Sequence, residues 1–277
     1  MPANLEFSSA VTLSPVQRQE YLSFAKQAAR SAGAAILPHF RSSLQVTNKL
    51  ADRGFDPVTV ADQAAERVIR EVIESTYPEH GIFGEEYGLK PGNGLTWVID
   101  PIDGTRAFMT GMLHWGVLLA LFDGQQPVVG VMYQPYTDEL FCGDGESAWL
   151  ERGQQSTQLH TSACQRVAEA SLSTTGISWL SAAEQKQFAQ LSRPAKLTKL
   201  GGDCYLFGML AMGHLDLGVE AGLKAYDIQA LMPIVRGAGG VITAWDGGNP
   251  SLGGSVVAAA TPALHEQALQ LLAESKN

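Results

Sequence analysis

The sequence is poor in the residues that mark a disulfide, zinc or polyanion-binding protein. Only three of its 277 residues are cysteine, Cys142, Cys164 and Cys204, widely spaced and without a CxxC, which points to reduced thiols rather than a disulfide framework. The six histidines, His39, His80, His114, His160, His214 and His265, are scattered without an HxxxH pair and read as surface or packing residues, which argues against structural zinc. Lys and Arg total 19 against 28 Asp and Glu, a formal charge of −9, and no basic cluster exists to displace counterions from a polyanion. Neither nucleic acid nor an anionic membrane is an expected partner. No eighteen apolar residues run together, and the start, MPANLEFSSAVTLSP, lacks a basic segment followed by an apolar one, so the expectation is a soluble cytoplasmic protein.

A hydrophobic content of 45% is ample for a packed core. Residues 1–13 have no clear period and read as an N-terminal arm or frayed start; residues 14–277 read as a single domain of two packed halves, about 14–150 and 151–277. Ser14 and Pro15 open a helix with Tyr21, Phe24, Ala25, Ala28 and Ala32 on one face, closing near Pro38. Thr59 and Asp62 stand as a capping pair for a second, whose inner face is Ala61, Ala65, Val68, Ile69, Val72 and Ile73.

Trp97–Ile99, Trp115–Phe122, Val128–Tyr133 and Glu139–Cys142 read as an antiparallel meander. Further on, strands at Ser171–Gly176, Leu215–Val219 and Ser255–Ala259 alternate with helices near Ala182–Leu191, Cys204–Met212, Asp227–Arg236 and Ala263–Ala273. The fold class is α/β or α+β with two sheets covered by helices.

The chemistry gathers at WVIDPIDGT, Trp97–Thr105, an apolar strand that ends in two carboxylates, Asp100 and Asp103. An acid directly after such a run is poorly placed for solvation, so a cation must sit between the two or water must reach them. Glu85 and Glu86 lie in a Gly-flanked loop just upstream, Asp62 is in the first turn of an early helix, and Asp227 opens a late one. Taken alone, Asp62 and Asp227 also read as helix-start acids, and Glu85 and Glu86 as a solvated turn. Together they form an oxygen-only set, which selects hard Mg²⁺ or Mn²⁺. Two or three such ions reverse the local sign and admit a phosphate ester. Gly104 and Thr105 add backbone N–H groups, an anion cradle if a helix begins there, although Thr105 also reads as a plain N-cap.

GEE at Glu85, DPIDGT at Asp100–Thr105 and an acid before a helix ending in GAGG, Asp227 to Gly240, resemble the inositol monophosphatase family. The motifs span about Phe55 to Gly240. The resemblance implies a layered αβαβα sandwich, a homodimer, Mg²⁺ ions and hydrolysis of a phosphomonoester by metal-activated water, without a covalent intermediate. Carried over by motif, Glu85, Asp100, the Ile102 carbonyl, Asp103 and Asp227 are metal ligands, Asp62 and Thr105 orient the water, and the Gly104 and Thr105 amides hold phosphate. The first half then carries metal and phosphate, the second the substrate.

Within the family, Asn48–Asp62, DPIDGTRAF with Arg106, and Gly201–Asp227 resemble the histidinol-phosphatase branch. Tyr226-Asp227 stands where Trp-Asp is common, and Arg106 replaces a small or polar residue, which puts inositol specificity in doubt. Asp203 and Glu220 fall near the last metal ligand in the family layout, where carboxylates complement a cationic amino alcohol. Asp203 also reads as an N-cap, and Glu220 as a solvated strand end. The rival readings are another ester, such as inositol monophosphate, fructose bisphosphate or a 3′-phosphonucleotide, and a non-catalytic regulator associated with RNA or polymerase. The intact acidic set argues against the last.

Overall fold

The computed structural model describes residues 5–43, 46–48 and 57–273. Residues 49–56, including most of the Asn48–Asp62 stretch and Phe55, lie outside the described residues.

Two caps launch the first layer. Ser14 and Gln17 form a capping box, Pro15 follows, and α1 runs Pro15–Ile36. Thr59 and Asp62 do the same for α2, Val60–Thr76, directly after β1 (Val46–Asn48) and β2 (Pro57–Thr59) pair antiparallel. Ala25, Ala28, Ala32, Ala61 and Ala65 are fully buried, and such small side chains let the two helices pack closely. Ahead of α1, residues 5–13 are irregular but tied down. Ser8 and Val11 N–H groups donate to the Gly124 and Asp123 carbonyls, each at 2.8 Å.

Beneath α1 and α2 lies an eight-stranded sheet of β3 (Gly81–Gly84), β4 (Gly88–Lys90), β5 (Thr96–Asp103), β6 (Gly116–Phe122), β7 (Pro127–Gln134), β8 (Glu139–Gly143), β9 (Ala148–Arg152) and β10 (Gln155–Gln158). Its order is β10-β9-β8-β7-β6-β5-β3-β4, antiparallel from β5 to β10, with β3 parallel to β5. The meander therefore runs two strands beyond the expected end at Cys142. Gln155–Gln158 is exposed at every position and carries no apolar signal. By contrast all seven residues of β6, GVLLALF, are buried, because helices cover both faces of the sheet and remove the period of two.

A second sheet holds β11 (Ser171–Thr174), β12 (Leu197–Leu200), β13 (Leu217–Lys224), β14 (Val241–Ala244) and β15 (Gly253–Ala259), in the order β12-β11-β13-β15-β14. Short α3 (Thr105–Met109) follows β5; α4 (Ala182–Ser192) and α8 (Pro262–Ala273) cover the outer face of the second sheet. Between the sheets pack α5 (Tyr205–Ala211), α6 (Ala225–Ile228) and α7 (Leu231–Gly237). The single helix expected over Asp227–Arg236 is thus two, and Asp227 is the third residue of α6 rather than a helix opener. The layers are α1–α2, sheet, α5–α7, sheet, α4–α8, an αβαβα sandwich. One apolar core lies under α1–α2, one between the sheets and one under α4–α8.

Candidate active site

The site begins with an irregularity in β5. Asp100 pairs with Leu118 and Asp103 with Gly116, so three steps on β5 oppose two on β6, a bulge at Pro101, which has no N–H to contribute to the ladder. Before the bulge Val98 faces the core between the sheets; after it Ile102 faces the core under α1–α2. The extra residue therefore turns Asp100 and Asp103, three apart, toward the same inter-sheet side. Asp227 reaches them from α6. Carboxylate oxygens of Asp100, Asp103 and Asp227 all lie within 4.8 Å of one another.

Three clustered carboxylates resist ionisation. Burial first, then the charges of Glu85, Asp103, Asp227 and Asp62, push Asp100 well above the ordinary range. Burial and the charges of Asp203 and Asp227 do the same to Asp103, and burial raises Asp227 to about 7. Among the described residues no ion pair involves these three. Backbone N–H groups donate to them: Ile102 to Asp100 at 3.1 Å, Cys204 to Asp103 at 2.6 Å and Lys224 to Asp227 at 2.7 Å. Crowded and oxygen-only, with only the Lys224 charge acting to favour ionisation of Asp227, the set fits a hard divalent cation.

At the end of β5 the chain turns through Gly104, whose φ of 83° is left-handed and whose Cβ position would lie 2.7 Å from the His114 carbonyl, so only glycine fits. Gly104, not Thr105, is the N-cap of α3. The Thr105 hydroxyl instead donates to the Ile102 carbonyl at 3.1 Å.

Facing this corner across a cleft of about 640 Å³ is a wall built by the second sheet. Glu220, 7% exposed in β13, accepts from the Thr175 hydroxyl at 2.8 Å; burial raises it to about 7. It is not a solvated strand end. The Thr175 hydroxyl accepts in turn from the Asp203 N–H at 3.2 Å. Nor does the Asp203 carboxylate cap α5: it pairs with His114 Nδ1 at 2.8 Å, and this bond raises the imidazole. Arg106 lines the same cleft with its guanidinium carbon 3.8 Å from the centroid of the Trp179 ring.

Of the residues expected at the site, Glu85, Asp100, Ile102, Asp103, Gly104, Thr105, Arg106, Asp203, Glu220 and Asp227 all line the cleft. Asp62 does not. Its carboxylate accepts from the Thr59 N–H at 2.8 Å and the Thr59 hydroxyl at 2.5 Å as the cap of α2, though its charge is felt at Asp100. Burial raises Asp62 to about 6.

Three residues of the site carry no signal in the sequence. Thr175 joins Glu220 to Asp203, His114 is a cleft residue rather than a packing one, and Glu66 holds the loop of Glu85. The fully buried Glu66 carboxylate accepts from the Glu86 and Tyr87 N–H groups at 2.7 and 3.2 Å and pairs with Arg70 at 2.8 Å. The cysteines are free, and burial raises the Cys204 thiol far from a nucleophilic thiolate.

Two packed sheets thus enclose an acidic, cation-fitting cleft at the end of a bulged strand. The chain matches the family model of the inositol monophosphatase family over residues 17–277, and it belongs to that family. It is 37% identical over 225 residues to a histidinol-phosphatase from Chlorobaculum parvum, covering 79% of this chain and 83% of that one. It is 35% identical to a Nus factor SuhB from Haemophilus influenzae, covering 88% and 93%. Among solved structures, an inositol monophosphatase from Zymomonas mobilis superposes with a TM-score of 0.82 at 36% identity, covering 94% and 99%. No described helix is long and apolar enough to cross a membrane.

Proposed function

We infer that the protein is a Mg²⁺-dependent phosphomonoesterase that converts L-histidinol phosphate and water to L-histidinol and phosphate. The observation that carries this reading is the placement of two acidic groups in one cleft: the Asp100–Asp103–Asp227 cluster, and across from it Asp203 and Glu220. When bound by the cluster with Glu85 and the Ile102 carbonyl, divalent cations supply the positive charge that a phosphoryl transition state requires. Gly104 and Thr105 offer N–H groups to the phosphate oxygens, and the Thr105 hydroxyl orients the attacking water. Glu220 and Asp203 receive the ammonium and imidazole of the leaving group, with His114 restraining Asp203. A polyol such as inositol offers these acids no positive charge, which favours the amino alcohol. The relative named histidinol-phosphatase supports the same choice.

Steady-state hydrolysis of histidinol phosphate and inositol 1-phosphate tests the assignment. In Asp203→Asn or Glu220→Gln the KM for histidinol phosphate rises roughly 10- to 100-fold, the worth of a charge-assisted hydrogen bond, with a far smaller change for the inositol ester. Equal losses on both esters contradict it. Asp100→Asn reduces phosphate release from either ester to the background without enzyme.

A further inference from the structure

Trp179 lines the cleft without a role in phosphate chemistry or in charge. Trp179 is 53% exposed, yet its indole is held at one face and along one edge. The Arg106 guanidinium carbon lies 3.8 Å from the ring centroid. Along the pyrrole edge is Gly176, where a Cβ would come within 2.4 Å of the indole Nε1 and 2.6 Å of Cδ1. The φ of Gly176 is −174°, extended backbone open to any residue, so the one thing a side chain there would displace is the indole. The segment is anchored at its start as well, since Thr175 donates to Glu220. Residues 175–179 thus tie the substrate wall to Arg106, the residue directly after Thr105. A large aromatic surface left to water at a fixed angle beside a substrate cleft is a surface awaiting a partner with a flat face.

The geometry points to Trp179 as a specificity-determining residue: its indole is the shelf on which a planar heteroaromatic leaving group stacks, with Arg106 and Gly176 setting the angle of the shelf. The proposal rests on the phosphomonoesterase reading, but not on histidinol phosphate being the preferred ester. Asp203 and Glu220 read the charge of the leaving group, and Trp179 reads its flatness. An imidazole presents a π face that a ring stack rewards; a puckered or linear saturated alcohol presents only C–H and hydroxyl edges.

The test separates flatness from charge with two phosphate esters that both lack the ammonium. One is 2-(imidazol-4-yl)ethyl phosphate, the other a saturated alkyl phosphate of matched length. Both are assayed with Mg²⁺ at about pH 8.5, where the imidazole is neutral, on the wild type, Trp179→Leu, Trp179→Phe and Gly176→Ala, with thermal melts confirming that each variant is folded. Trp179→Leu keeps apolar bulk and removes the π face. Its KM for the imidazole ester rises roughly ten-fold more than for the saturated ester, and Trp179→Phe restores most of the difference. Gly176→Ala displaces the indole without removing it and changes the ratio in the same direction. Equal changes on the two esters in Trp179→Leu, or no change, overturn the shelf. Failure of the underlying reading is distinguishable, because the wild type then releases phosphate from neither ester, and that result overturns the shelf as well.

Discussion

Glu220 shows how a single buried carboxyl can set a pH-dependent preference. Held at about 7 by burial, it is largely neutral below that pH and charged above it. Its attraction for a cationic leaving group therefore grows as pH rises through 7. The ratio of KM for histidinol phosphate to KM for inositol 1-phosphate is predicted to fall across pH 6–8 more steeply in the wild type than in Glu220→Gln, a comparison in which the titrations of the phosphate and of the substrate imidazole cancel. The same shift has a stability consequence of defined sign. Between the ordinary carboxyl value of 4.5 and about 7 the folded protein binds more protons at Glu220 than the unfolded chain does, so this group lowers stability as pH rises across that window. Thermal melts of Glu220→Gln should show a shallower decline than the wild type from pH 4.5 to 7.

The acids themselves were legible as residues. Asp100 and Asp103 stand out because an apolar strand ends in them, and Glu85, Asp203, Glu220 and Asp227 follow from motif resemblance. Thr175 and His114 were not legible, because each acquires its role only from a partner brought close by the fold: Glu220, 45 positions on, and Asp203, 89 positions on.

At the scale of elements, the turn between β3 and β4 presents Glu85 to the cleft, and α2 holds that turn through Glu66 and Arg70. Arg70 also donates to the Gly88 carbonyl at the far side of the turn. Glu66 is thus a positioning residue for the cation site. Glu66→Gln should raise the Mg²⁺ concentration for half-maximal activation roughly 10- to 100-fold, the usual effect of losing a group that orients a ligand. The Mg²⁺ concentration needed to raise Tm should rise in parallel, a readout that simple loss of packing would leave unmoved.

Elements with strong caps or long apolar runs were readable. α1 and α2 begin where Ser14 and Thr59 place them, and β5 to β8 lie near their expected bounds. Those missed had physical reasons for silence. β12 is an edge strand exposed at all four positions, and β10 is polar throughout. α6 and α7 were read as one because their apolar residues fill the space between two sheets continuously, which masks the break at Gln229-Ala230. The bulge that turns Asp100 and Asp103 together depends on pairing with β6 and has no local signature beyond Pro101.

For the molecule as a whole, the cation site joins parts that otherwise repel. Asp100 and Asp103 come from the first sheet, Asp227 from the middle layer, Asp203 from the loop after β12 and Glu220 from the second sheet, in a chain of net charge −9. A phosphate ester approaching this cleft meets repulsion unless divalent cations reverse the local sign. Mg²⁺ and inorganic phosphate should therefore stabilise the fold cooperatively, raising Tm together by more than the sum of their separate effects. Asp100→Asn should abolish the joint increment. Additive shifts would mean that the two ligands occupy independent sites.

The central claim is that this acidic cleft hydrolyses a cationic phosphomonoester with the help of a divalent cation. The most direct measurement is phosphate release by the wild-type protein from histidinol phosphate, inositol 1-phosphate and glycerol 2-phosphate, each with Mg²⁺ and after chelation. The predicted result is release that depends on Mg²⁺, with kcat/KM for histidinol phosphate at least about ten-fold above either polyol ester. Turnover that survives chelation contradicts the cation site, and equal or greater kcat/KM for the polyol esters contradicts the assignment of Asp203 and Glu220 to a cationic leaving group.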